Sequence, residues 1–127
     1  MEKFNGVIIE ESLIDNSVLK DLKIISTKVE IVTEKHQSSE KQWTLHTVEI
    51  EVDIADNIAL KLSNSIKDKW YADFKNDDTH YIIYQNKVFK IDRTKIEEYN
   101  EATKYGISLG IPDYQVDFAQ NVQKWER

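Results

Sequence analysis

The sequence predicts an α+β fold: a ferredoxin-like split β-α-β core (βαββαβ) extended by a β-hairpin and a C-terminal helix with a covering tail, in one domain over residues 1–127. Three observations predict it. Segments 25–32 and 43–53 alternate apolar and polar residues with the period of half-buried strands. After the second of them, Ile54, Ala55, Ile58, Ala59, Leu62 and Ile66 recur at the spacing of one helix face. The block from Trp70 to Asp92 then holds nearly half of the aromatic residues, interrupted by two turn signals, and reads as a three-stranded meander.

Taken in order, Phe4 to Glu11 reads as a first strand around Val7-Ile8-Ile9. Asp15, Asn16 and Ser17 offer caps for a short helix from Ser17 to Lys23 that buries Val18, Leu19 and Leu22. The strand over 25–32 follows, and then the polar run Lys35 to Gln42, a loop. Trp43 to Asp53 places Thr44, His46, Val48, Ile50 and Val52 on one face and Trp43, Leu45, Thr47, Glu49 and Glu51 on the other. Asp53 or Asp56 is positioned to cap the long helix. In the aromatic block, Asn76-Asp77-Asp78 separates strands 70–75 and 80–84, and Gln85-Asn86 makes a tight turn in which the asparagine can take the left-handed conformation. Thr94 with Glu97 forms a capping box for a helix carrying Ile96, Tyr99 and Thr103, with Gly106 as its C-terminal glycine. A short strand is expected from Tyr114 to Phe118. The apolar tail residues Ile107, Leu109, Ile111, Tyr114, Val116 and Phe118 suit a cover over the sheet face that the core helices leave open.

Composition narrows the function. A chain of 127 residues can bury roughly two thirds of its unfolded surface without a staple. With no cysteine it has no disulfide framework, thiolate zinc site or cysteine nucleophile. The apolar run Val7-Ile8-Ile9 is too short for a signal-peptide core or a membrane span, so a cytoplasmic protein with no membrane partner is expected. The net charge of −6 lacks the gathered basic patch of a nucleic-acid binder. An RNA-recognition surface would also need stacking aromatics on the central strands, where Glu49 and Glu51 stand instead.

Few residues carry chemistry. His46 shares a strand face with aliphatic residues. It is either a base or ligand in a pocket, or a core histidine bonded to backbone or to a threonine such as Thr27. Asp73 lies on a face with Tyr71 and Lys75, opposite Trp70, Ala72 and Phe74. It is either a pocket carboxylate near His80, or a solvated one paired with Lys75 or Lys90. Glu49 and Glu51, about 7 Å apart along one strand, can flank a reacting bond or seat a cation, or else form a solvated face partnered by Lys28. The histidines His36, His46 and His80 show no metal-ligand spacing, no nucleophile motif is present, and three glycines cannot build a phosphate loop. No metal or cofactor is expected.

The segments Gly6-Val7-Ile8-Ile9-Glu10-Glu11-Ser12-Leu13, Trp43-Thr44-Leu45-His46-Thr47-Val48-Glu49, Trp70-Tyr71-Ala72-Asp73-Phe74 and Tyr105-Gly106-Ile107-Ser108-Leu109-Gly110-Ile111-Pro112 resemble a small family of uncharacterised prokaryotic proteins of about this length. The resemblance runs almost end to end and implies no reaction, cofactor or catalytic residue.

Two functional expectations stand side by side. One is a small binding or interaction domain that self-associates as a homodimer through a sheet edge or an uncovered face. The other is a small enzyme or small-molecule-binding protein. Its pocket would be lined by Tyr71, Asp73, His80 and Tyr84, with His46 or Glu49 as acid–base partner.

Overall fold

The computed structural model describes residues 3–31 and 42–111. Six antiparallel strands form one sheet in the order β2-β3-β1-β4-β5-β6: β1 (Phe4–Ile9), β2 (Lys23–Ile31), β3 (Gln42–Ile50), β4 (Tyr71–Lys75), β5 (Thr79–Tyr84) and β6 (Lys87–Asp92). Helix α1 (Ala55–Ser65) and helix α2 (Ile96–Ser108) lie on opposite faces. The expected strand 114–118, most of the loop 35–42 and the covering tail beyond Ile111 fall outside the described residues.

Alternation along each strand divides the sheet into two packed layers. Phe4, Ile8, Val48, Ile50, Ala72, Phe74, Tyr81 and Ile83 point to one face, where α1 lays Ala55, Ile58, Ala59 and Leu62 over them. This is the helical stripe read from the sequence. On the other face Ile82, Tyr84 and Ile91 meet Tyr99 and Ala102 of α2, with Phe89 and Tyr105 packed beside them. Buried Tyr84 donates its hydroxyl to the Ala102 carbonyl at 2.7 Å, which fixes α2 along its length. α1 is tied to the sheet by Asp56, which accepts a short hydrogen bond from Tyr81 and pairs with Lys90 at 3.3 Å.

The fold departs from the expected ferredoxin-like arrangement of four strands with two α-helices on one face. The first crossover holds only a 3-10 turn, Asn16–Asp21, where a helix over 17–23 was expected; Asp15 does cap it, accepting from the Ser17 amide at 2.9 Å. The expected extension by a β-hairpin is present, since the sheet continues past β4 into β5 and β6. β1 stops at Ile9 and turns through a 3-10 segment, Glu10–Ser12.

Several local signals resolve differently from their expected form. Ile54 is the N-cap of α1, with no side-chain cap from Asp53 or Asp56, because a 3-10 turn over Val52–Ile54 already leads the chain in. The Thr94–Glu97 capping box does not form: Thr94 donates instead to Asp92 at 2.7 Å, and Lys95 is the N-cap of α2. Gly106 lies inside α2, buried, and the left-handed φ of 94° falls to Gly110. The turn at Asn86 has the expected positive φ of 60°, and its amide donates to the Ser63 carbonyl at 2.9 Å.

Gly6 permits a close backbone approach. It stands opposite Phe74 where β1 joins β4, and a Cβ there would meet the Asp73 carbonyl and lie 2.8 Å from the Phe74 Cβ. The join between the two halves of the sheet therefore requires glycine.

Candidate functional site

The registers bring Asp73 and His80 together. Asp73 stands opposite Ile82, so His80 is its diagonal neighbour on the same face, within reach of an imidazole. His80 Nε2 lies 2.8 Å from Asp73 Oδ2, and His80 Nδ1 lies 3.0 Å from the Tyr99 hydroxyl. The result is a carboxylate–imidazole–phenol chain between β4, β5 and α2. Arg93 anchors the next turn, donating from Nη1 to the Asn76 carbonyl at 2.6 Å, and its guanidinium is a neighbour of Tyr99. Burial pushes the Tyr99 phenol up, against the pull of Arg93 and with a small push from Asp73.

This chain is sealed. Asp73 is 1% exposed, His80 2% and Tyr99 1%. Asp73 is thus not a solvated carboxylate. Alternation puts Asp73 on the α2 face, and α2 then covers it. Tyr84, also expected in the pocket, is wholly buried, and burial raises its phenol far above the ordinary value, with Tyr71 and Asp73 adding to it. Tyr71 is half-buried beside it. The four expected pocket residues therefore share one face, with a helix packed where a ligand would enter.

His46 points to the opposite face, so it cannot join Asp73 and His80. It has its own chain. Nδ1 lies 2.9 Å from the Thr27 hydroxyl and Nε2 lies 2.7 Å from Glu10 Oε1. Thr27 is the threonine anticipated from the sequence, and it stands directly opposite His46 in the β2–β3 register. Glu10 was not anticipated. It reaches His46 because the 3-10 turn after β1 swings the chain over the end of β3. The same turn sets Glu11 against Thr44, whose amide and hydroxyl donate to it at 2.6 and 2.8 Å. Burial works to raise the Glu11 carboxyl, but the two bonds from Thr44, together with the residue's own backbone N–H and the nearby His46, hold the group below its ordinary value. Beside this turn an open groove of about 370 Å³ is lined by Glu10, Glu11, Leu13, Ile14, Asp15 and Asn16.

Glu49 shares the face of Asp73 but stands three strands from His80, roughly 14 Å at the usual strand spacing, so it cannot assist there. Its partners are Lys3 at 3.1 Å and Lys23 at 3.4 Å, and Lys3 also reaches Glu51 at 3.4 Å. Lys28, the expected partner, pairs with Glu30 at 3.2 Å, because the sheet register carries it past Glu49 to stand opposite Leu45. The hydrogen bond from Lys3 holds the Glu49 carboxyl down. Among the described residues no group of three or more acidic or histidine side chains is arranged to hold a metal ion.

Among the described residues, β2 also presents an open surface. It is an edge of the sheet, and eight of its nine residues are exposed. Ile25 (53% exposed), Val29 (54%) and Ile31 (73%) present apolar side chains there. The opposite edge, β6, carries Lys87 and Lys90, while Phe89 and Ile91 turn inward to α2.

No family model matches the chain, and no curated protein or solved structure matches it either. No helix among the described residues is long and apolar enough to cross a membrane.

Proposed function

We propose that this protein is a small cytoplasmic binding domain that self-associates through the open edge of its sheet. The observation that carries the reading is β2: a nine-residue edge strand, exposed along its length, with isoleucine and valine side chains in the open. Edge strands that stay monomeric are usually short, charged or covered. The β6 edge is six residues long and turns Phe89 and Ile91 under α2, whereas β2 is nine residues long and, although it carries Lys23, Lys28 and Glu30, leaves Ile25, Val29 and Ile31 exposed. The strand order β2-β3-β1-β4 supports reading the first elements as a split β-α-β unit of the ferredoxin-like type, its first helix reduced to a 3-10 turn and its sheet extended by β5 and β6.

A pocket built on Tyr71, Asp73, His80 and Tyr84 receives less support. Asp73 and His80 engage each other, His80 also meets Tyr99, and α2 lies over all of them. Such a chain serves to dock a helix on a sheet.

Light scattering over a range of concentrations tests the proposal. The expected result is a concentration-dependent dimer that becomes monomeric in Val29→Lys with an unchanged circular dichroism spectrum. A wild-type chain that stays strictly monomeric at high concentration overturns it.

A further inference from the structure

Resting on that self-association reading, we infer that two copies join β2 to β2, antiparallel, about a two-fold axis passing through Val29. A strand that pairs with itself in a closed dimer makes an isologous contact, in which residue i faces j and j faces i. Directly opposite side chains in an antiparallel pair share a face, so the axis must run through a residue and not between two.

The geometry of β2 leaves few choices. A register shift between Ile24 and Ser26 bulges the strand at Ile25, and the pairing with β3 is regular from Ser26 to Ile31. Lys28 and Glu30 sit at alternate positions on the face of Leu45 and Thr47, while Thr27, Val29 and Ile31 sit on the face of His46. An axis through Lys28 would set Lys28 against the partner's Lys28. An axis through Glu30 would do the same with glutamates. Like charges directly opposite are destabilising. An axis through Val29 sets Lys28 opposite the partner's Glu30 and Glu30 opposite the partner's Lys28, so charge complementarity occurs twice. On the other face Val29 meets the partner's Val29, and the strongly exposed Ile31 lies opposite the partner's Thr27.

The energy and the specificity come from different faces. Exposed ion pairs contribute little to affinity, so the charges select the register while Val29, Ile31 and the ladder hydrogen bonds supply the attraction. The assembly closes at two, because each β2 is consumed and the remaining edges carry Lys87 and Lys90.

Cysteine cross-linking with charge exchange tests the axis in the full chain, which has no cysteine of its own. Under mild oxidation Val29→Cys is expected to form a covalent dimer, and Ile31→Cys is not, since only residues on the axis face themselves. Lys28→Glu and Glu30→Lys are each expected to weaken dimerisation roughly tenfold or more, and the double exchange K28E/E30K to restore it. A wild-type dimer in which both cysteine variants cross-link alike, or in which the double exchange fails to restore association, overturns the register and leaves the self-association reading standing. A wild-type monomer, including one whose β2 amides are shielded by its own residues 112–127, overturns both.

Discussion

The two halves of the sheet each hold a carboxylate, an imidazole and a hydroxyl in series, and they treat it in opposite ways. In the β4–β5–β6 half, Asp73, His80 and Tyr99 are closed in beneath α2. In the β2–β3 half, Glu10, His46 and Thr27 stand beside an open groove and an open edge; only the imidazole is buried, while Glu10 is half-exposed and Thr27 exposed. The same groups therefore carry different weight. Under α2 each polar atom has given up water and depends on its partner, so the chain specifies how the helix docks. At the open end a lost partner is replaced by water, and the chain serves mainly to orient Thr27 and to hold the turn after β1 against β3.

The largest expected effect is on the sealed side. Asp73→Ala leaves His80 and Tyr99 without the carboxylate that completes their chain and is expected to cost about 3 kcal/mol in urea denaturation. A cost below about 1 kcal/mol would mean that the sealed chain behaves like the open one, and the contrast would collapse. On the open side, His46→Ala is expected to cost about 1 kcal/mol in the same assay, since Glu10 and Thr27 can turn to solvent. A loss as large as that of Asp73→Ala breaks the comparison from the other direction.

The smallest effect sharpens the open side and depends on pH. Bonds from Thr44 hold the Glu11 carboxyl below its ordinary value near 4.5. A depressed carboxyl binds more protons in the unfolded chain than in the folded one. Its contribution is therefore complete above about pH 4.5 and is lost as the pH falls through the folded value. The stability difference between wild type and Glu11→Gln, measured from pH 7 down to pH 3, is expected to shrink in that acid range. A difference that stays constant to pH 3 would show that the Thr44 bonds do not favour the charged form.

Much of this structure was legible in the sequence. The faces of β3, the stripe of α1, the three strands of the aromatic block and the left-handed Asn86 all follow from local periodicity or from one residue's conformational range. The Thr27–His46 contact was also anticipated, because both residues lie on strands that a hairpin pairs. Tyr99 could be read only as part of a helix stripe, since nothing local says that its hydroxyl meets His80. Glu10 was lost for a similar reason: parity sets it on the face of Ile8 and His46, but nothing local says that β1 lies beside β3 or that a 3-10 turn follows Ile9.

By itself, the sequence determined which side chains share a face, because the period of a strand or a helix is a local property of the backbone. It placed Asp73 opposite Ala72 and Phe74, and set Lys28 and Glu30 on one side of β2 with Val29 on the other. Only the tertiary structure decided which face each helix covers and which strand lies at the edge. Both depend on contacts between residues far apart in the chain, such as the approach of β1 to β4 that Gly6 permits. Those contacts sealed one histidine beneath α2 and left β2, with its alternating charges, at the border of the sheet.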